Sequence, residues 1–401
     1  MWARMASWGE LATRLRVLCT VAGKADCQSA AGYHPAPQID RAGFNLLVAH
    51  PIEDDCLSGP TPRGRGFRMP AEWEAHEATW IAWPHNREDW PGRFAPIPWV
   101  YGEIVRKLSR VEKVRILVNG AALERQARRI LRQVGARMEA VEFFECPTDR
   151  VWTRDYSPLF VKRLSKIGRG EVAATAWRFN AWAKYDDWKR DAAVPEFVAS
   201  RLGMRNWAPD MVLEGGSIDV NGGGWLLTTE ECLLSHVQAR NPELTRRDIE
   251  RRLRDYLGAN RVIWLRNGIA GDDTHGHVDD LARFVAPDAV VVASEEDRAD
   301  ANYEPLRENY RLLSDAGLKV IKLPMPRPVI FAGRRLPASY ANFYIANGLV
   351  LVPTFNDPAD RVALATLARY FPNREVTGIN CTELIWGLGA LHCMTMQQPA
   401  G

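Results

Sequence analysis

The sequence predicts an α/β protein, because short β-prone apolar runs alternate with helix-length segments from about residue 70 to the C-terminal region. A chain of 401 residues with 46% hydrophobic content can bury a large core. No Gly- or Ser-rich boundary divides residues 68–401, which therefore read as one domain.

The elements follow in order. Residues 78–83, Ala-Thr-Trp-Ile-Ala-Trp, form a β-prone apolar run, residues 99–111 have helical apolar spacing, and 114–118 read as a strand ending in Asn-Gly. The rhythm repeats with a helix over 122–134, strands at 139–144 and 224–228, a helix over 244–257 and a strand at 261–265. Further on come a strand at 289–293, a helix over 303–316, strands at 319–323 and 349–353, and a helix over 361–370.

Residues 1–67 differ. Their stretch 23–67 mixes Gly, Pro, Asp, Arg and Ser without a sustained period of either 2 or 3.6, so this extension reads as disordered or as a mis-assigned start, with Met69 as a candidate initiator.

Charge and cysteine content narrow the function. Lys plus Arg number 52 against 49 Asp plus Glu, a balance that draws in neither nucleic acid nor anionic membrane. No apolar run reaches the length of about 18 residues that a membrane span needs. The seven cysteines are scattered and odd in number, without a Cys-x-x-Cys pair, which favours neither a disulfide framework nor a zinc knuckle and suits a reducing cytoplasm. Homo-oligomerisation stays open.

Cys393 lies far along the chain from His277 and Asp279, the arrangement expected when the fold brings a thiol nucleophile to its base. Polar strings beside turn residues add Trp152-Thr-Arg-Asp155, Phe179-Asn-Ala-Trp182, Tyr185-Asp-Asp-Trp188 and Leu213-Glu-Gly-Gly-Ser217. Tryptophans 152, 177, 182 and 188 cluster near them, and a flat aromatic wall suits a planar cation. In an extended segment, His275, His277 and Asp279 would all point to one side. The Asp186-Asp187 pair reads equally as a solvated turn and receives no catalytic role.

These strings, with Met69-Pro-Ala-Glu-Trp-Glu74, Leu227-Thr-Thr-Glu-Glu-Cys-Leu233, Arg240-Asn-Pro242, Asn342-Phe-Tyr-Ile-Ala-Asn347 and His392-Cys393 before Gln397-Gln-Pro399, resemble the agmatine deiminase family and its bacterial peptidyl-arginine-deiminase-like members. The resemblance covers nearly all of 69–399. It implies a pentein α/β-propeller of five ββαβ-like units with pseudo-fivefold symmetry, hydrolysis of a guanidine to a urea and ammonia, and neither metal nor organic cofactor. It places Cys393 as nucleophile, His277 as acid and base, Glu214 beside that histidine, and Asp155 and Asp279 on the guanidinium; the aromatic-wall reading adds Trp152 as a substrate-binding candidate. Agmatine is the expected substrate, a small cation whose product, N-carbamoylputrescine, implies a role in putrescine and polyamine biosynthesis. Arg154 is the one basic residue of these strings that offers itself as a carboxylate clamp, which favours agmatine over free arginine, and peptidyl-arginine is the alternative.

Two other classes compete. His275-x-His277-x-Asp279 resembles the metal-binding string of metallo-β-lactamases, but position 280 is Asp and not a further histidine. A non-catalytic pentein binding protein would lack the thiol, histidine and carboxylate set found here.

Overall fold

A computed structural model describes residues 60–163 and 170–401. Most of the expected extension 1–67 lies outside the described residues, but its last eight belong to the fold. Phe67 is buried, its ring centroid is 5.3 Å from that of Trp207, and Trp207 Nε1 donates to the carbonyl of Pro60 at 2.7 Å. Order therefore starts ahead of residue 68, because residues 60–67 bring an aromatic anchor of their own.

Among the described residues there are five sheets of one pattern, plus a two-stranded hairpin. In each sheet an edge strand pairs antiparallel with a middle strand, which pairs parallel with the next strand through a helical crossover. The edge, middle and outer strands are Leu159–Arg163, Glu171–Thr175 and Asn206–Trp207 in one sheet, and Asp219–Val220, Trp225–Thr229 and Arg261–Leu265 in the next. Two more comprise Ala282–Ala286, Ala289–Ser294 and Lys319–Pro324, then Tyr344–Ala346, Leu349–Thr354 and Glu375–Asn380. The fifth joins distant parts of the chain: Met396–Pro399 lies antiparallel to His76–Ala82, which is followed by Lys113–Val118 and Val141–Glu145 in parallel.

The expected α/β alternation is present with small shifts. Residues 139–144 are not one strand; Met138–Ala140 makes a 3-10 turn and Val141–Glu145 the strand. The helix Arg246–Leu257 shows why such segments form. Thr245 and Asp248 make a capping box, Ile249, Leu253 and Leu257 bury one stripe, and Gly258 ends the helix at φ 75°. The middle strands Ala289–Ser294 and Leu349–Thr354 are buried over their first five residues, the runs expected of strands covered on both faces.

One regularity positions the site. Each edge strand is preceded within a few residues by a polar side chain of the functional strings: Asp155, Glu214, Asp279, Asn342 and Cys393 stand just before the strands that begin at Leu159, Asp219, Ala282, Tyr344 and Met396. All five sheets thus send one such residue toward a common place.

Candidate active site

A cavity of about 510 Å³ is lined by Trp152, Asp155, Trp182 and Cys393 at its inner end. Behind them sits a buried cluster. His277 Nδ1 lies 3.8 Å from Asp155 Oδ1 and 4.0 Å from Asp279 Oδ1, and its Nε2 lies 3.7 Å from Glu214 Oε2. Cys393 Sγ lies 3.8 Å from Asp279 Oδ2, and Asn342 Nδ2 donates to the same sulfur at 3.1 Å. Five residues expected from sequence, Cys393, His277, Glu214, Asp155 and Asp279, therefore come together; Trp152 forms part of the cavity wall.

Local backbone explains the placement. Thr153–Tyr156 is a single helical turn carrying Asp155, whose Oδ1 accepts from Gly216 N and whose Oδ2 accepts from Trp182 Nε1, both at 3.0 Å. A Cβ at Gly216 would lie 2.6 Å from His277 Nδ1 and 2.9 Å from the carboxylates of Asp155 and Asp279, so only glycine fits there. Ala181, Trp182 and Ala183 all have positive φ, a strained run that aims the indole at Asp155.

Electrostatics sort the groups. Burial alone would lower the His277 pKa, but Asp155, Cys232 and Glu214 overcome it and hold the imidazole well above its usual range, as an imidazolium. Burial likewise pushes Glu214 up; Arg240 and His277 offset this and leave it at about 2. Burial raises Asp155 to about 6, against the pull of His277. The Cys393 thiol is pushed well up by burial and by Asp279, Asp280 and Asp155, so it rests protonated.

Several expectations change. His275, His277 and Asp279 do not share an extended segment: His275 has φ 63° and Val278–Asp280 is a 3-10 turn. His275 faces Ser235 at 3.1 Å and Glu231 at 3.7 Å, away from the cluster, which removes it from any metal set with His277 and Asp279. Among the described residues, Glu214, Cys232 and His277 bring ligand atoms within 4.8 Å of one another. Arg240 already occupies Glu214 Oε1 at 3.0 Å, however, and a fixed guanidinium beside that carboxylate opposes a second cation. Arg154 is no carboxylate clamp, since its guanidinium is buried against Gln397, Glu72 and the carbonyl of His392. Of the four clustered tryptophans, 152 and 182 reach the cavity, whereas Trp177 and Trp188 line a separate one.

Sequence reasoning gave no role to Arg240, Asn342, Cys232 or Asp280. Arg240 and Asn342 stand in strings that carried the resemblance, which was the available signal. Asp89, Glu88 and Asp273 likewise receive no role from sequence, and Asp186 and Asp187 read there as a solvated turn; all five line the outer part of the cavity with Arg150.

The sequence pattern of the Porphyromonas-type peptidyl-arginine deiminase family matches residues 68–399. The chain belongs to this family. It is 38% identical over 378 residues to an agmatine deiminase of Pseudomonas aeruginosa, covering 86% of this chain and 99% of that protein. A Medicago truncatula agmatine deiminase is 38% identical over 376 residues, with 85% and 98% covered. Among solved structures, the Enterococcus faecalis agmatine deiminase superposes with TM-score 0.78 at 32% identity, over 86% of this chain and all of that one. A cysteine-to-serine variant of the C. jejuni agmatine deiminase with substrate bound gives TM-score 0.75 at 30% identity, over 83% and 96%. Family membership thus joins a mixed α/β fold to a site built from a thiol, an imidazole and carboxylates.

Proposed function

We propose that this chain is an agmatine deiminase, a hydrolase that converts agmatine to N-carbamoylputrescine and ammonia. The observation that carries the substrate is the cavity lining: five carboxylates, Glu88, Asp89, Asp186, Asp187 and Asp273, stand outside the catalytic cluster against one lining guanidinium, Arg150. Arg150 is itself paired with Asp89 at 2.6 Å and Asp187 at 2.9 Å, so it offers little to a substrate carboxylate. Such a wall suits a primary amine and opposes the carboxylate of free arginine.

The proposed chemistry follows from the charge states. Guanidinium N–H groups are held by Asp155 and by Asp279, whose Oδ1 has no hydrogen-bond partner within the protein. The arriving cation offsets the carboxylates that keep Cys393 protonated, so the thiol releases its proton to solvent through the cavity and the thiolate attacks the guanidinium carbon. His277, already an imidazolium, gives its proton to the departing nitrogen, which leaves as ammonia and a Cys393 S-alkylthiouronium remains. The neutral imidazole then takes a proton from water, whose hydroxide adds to the same carbon; the C–S bond breaks, the added hydroxyl's proton passes to the departing sulfur, and the ureido product leaves. Glu214, anchored by Arg240, orients His277 throughout. The five sheets, each sending a residue to the site, fit closure into the expected five-unit propeller across residues 68–401. A cytoplasmic role in putrescine biosynthesis accords with the proposed product.

The test is direct. Purified protein is incubated with agmatine, free arginine and a blocked arginine peptide, and ammonia and ureido product are measured. Turnover of agmatine above both others supports the proposal. Preference for the peptide would transfer the reading to peptidyl-arginine, and silence on all three would overturn it.

A further inference from the structure

His392 stands immediately before the nucleophile and is buried. Its Nδ1 lies 2.7 Å from Asp279 Oδ2 and its Nε2 lies 2.8 Å from Glu72 Oε2. A carboxylate accepts and does not donate, so the ring nitrogen that meets Asp279 does so by donating its N–H. Glu72, 320 residues away in sequence, is fixed in turn. Its Oε2 also meets Arg283 at 2.9 Å and Arg154 at 3.4 Å, while Oε1 accepts from the backbone N–H of Ile345 at 2.8 Å. Arg283 is held from its other side by Asp219 at 2.8 Å.

The two oxygens of Asp279 are therefore unequal. Oδ2 is taken by His392, whereas Oδ1 is buried with no hydrogen-bond partner. An unpaired buried acceptor is costly unless something else uses it. We infer that His392 is a positioning residue: with Glu72 fixing the ring from behind, it clamps one oxygen of Asp279 so that the other is presented to the substrate guanidinium. This rests on the proposed role of Asp279. The rival explanation is a buried ion network that serves stability alone.

The Michaelis constant separates the two, because a smaller folded fraction lowers apparent kcat but leaves KM untouched. His392→Phe removes the ring donor, and His392→Gln restores one neutral donor. The expected result is a KM for agmatine raised about tenfold or more in His392→Phe, with partial recovery in His392→Gln. Folded variants that keep the wild-type KM would overturn the inference. Should neither variant fold, Glu72→Gln decides it, because it loosens the ring from behind while leaving His392 in place and keeping an acceptor for the backbone N–H of Ile345. A KM raised about threefold or more supports the clamp, and a wild-type KM overturns it. Wild-type KM in variants of an active enzyme removes the clamp and leaves the proposed activity standing, whereas a wild type silent on agmatine fails the activity on which the inference rests.

Discussion

The inner and outer ends of the cavity are both acidic, yet they are built on opposite terms. At the inner end, Asp155, Asp279 and Glu214 are buried, and each is held by a specific donor or cation from another part of the chain. At the outer end, Glu88, Asp186 and Asp187 are exposed to water, Asp273 is shared among Lys184, Tyr185 and Arg334, and Asp89 alone is buried. Low-dielectric surroundings make the inner charges strong and unforgiving of displacement, whereas water and salt screen the outer ones. In the proposed reaction the inner end sets the chemistry, while the outer end biases which guanidine enters.

Substitutions can break this division. Cys393→Ala should remove turnover, by about 10⁴-fold or more, while the melting temperature stays within a few degrees of wild type; substantial residual activity would deny the thiol its role. Asp155→Asn should lower kcat/KM about a hundredfold, since one carboxylate of a desolvated charge pair is lost. The pH profile sharpens the same point. Burial places Asp155 at about 6, so on lowering the pH through that value the carboxylate gains a proton and kcat/KM should fall about tenfold per unit. Asp155→Asn should lose that limb; a limb that persists would assign it elsewhere.

Smaller effects are expected outside. Asp89→Asn should raise KM for agmatine about tenfold and change kcat by less than about twofold, because it would touch only the amine end. Burial pushes Asp89 up to about 7, so the wild-type KM should already rise as the pH drops below neutrality. Glu88→Gln, exposed and screened, should change KM by about twofold at most in moderate salt. If Asp89→Asn costs as much kcat as Asp155→Asn, the proposed division of labour fails.

The α/β alternation was legible because middle and outer strands such as Lys113–Val118 and Leu349–Thr354 are apolar runs, and helices such as Tyr303–Asp315 carry a buried stripe. The edge strands were not legible, and neither were the middle strand Glu171–Thr175 and the outer strand Asn206–Trp207 of one sheet. Asp219–Val220 has two residues, and Met396–Pro399 buries Gln397 and Gln398 against Arg154, Trp80 and Arg115, so neither shows apolar alternation. The site shows a similar split. Cys393, His277, Glu214, Asp155 and Asp279 sit in strings with recognisable chemistry, but their supports are partners in space alone. Glu72 with His392, and Arg240 with Glu214, are joined by folding and by no local pattern. The i, i+2 argument for His275 failed because a left-handed residue and a 3-10 turn broke the extended path it assumed.

The strand Met396–Pro399 has a temporal consequence. It completes a sheet whose neighbouring strand is laid down about three hundred residues earlier; Trp80 and Gln398, joined by a side-chain bond, are 318 positions apart. Cys393 lies three residues before that strand, so the thiol takes its place only when the final piece of the first sheet docks. A ribosome making this protein would carry a nascent chain with most of its carboxylates already synthesised but without the thiol proposed as nucleophile. Under the proposed mechanism, reactivity toward guanidines is thereby deferred until the slow, long-range closure has happened.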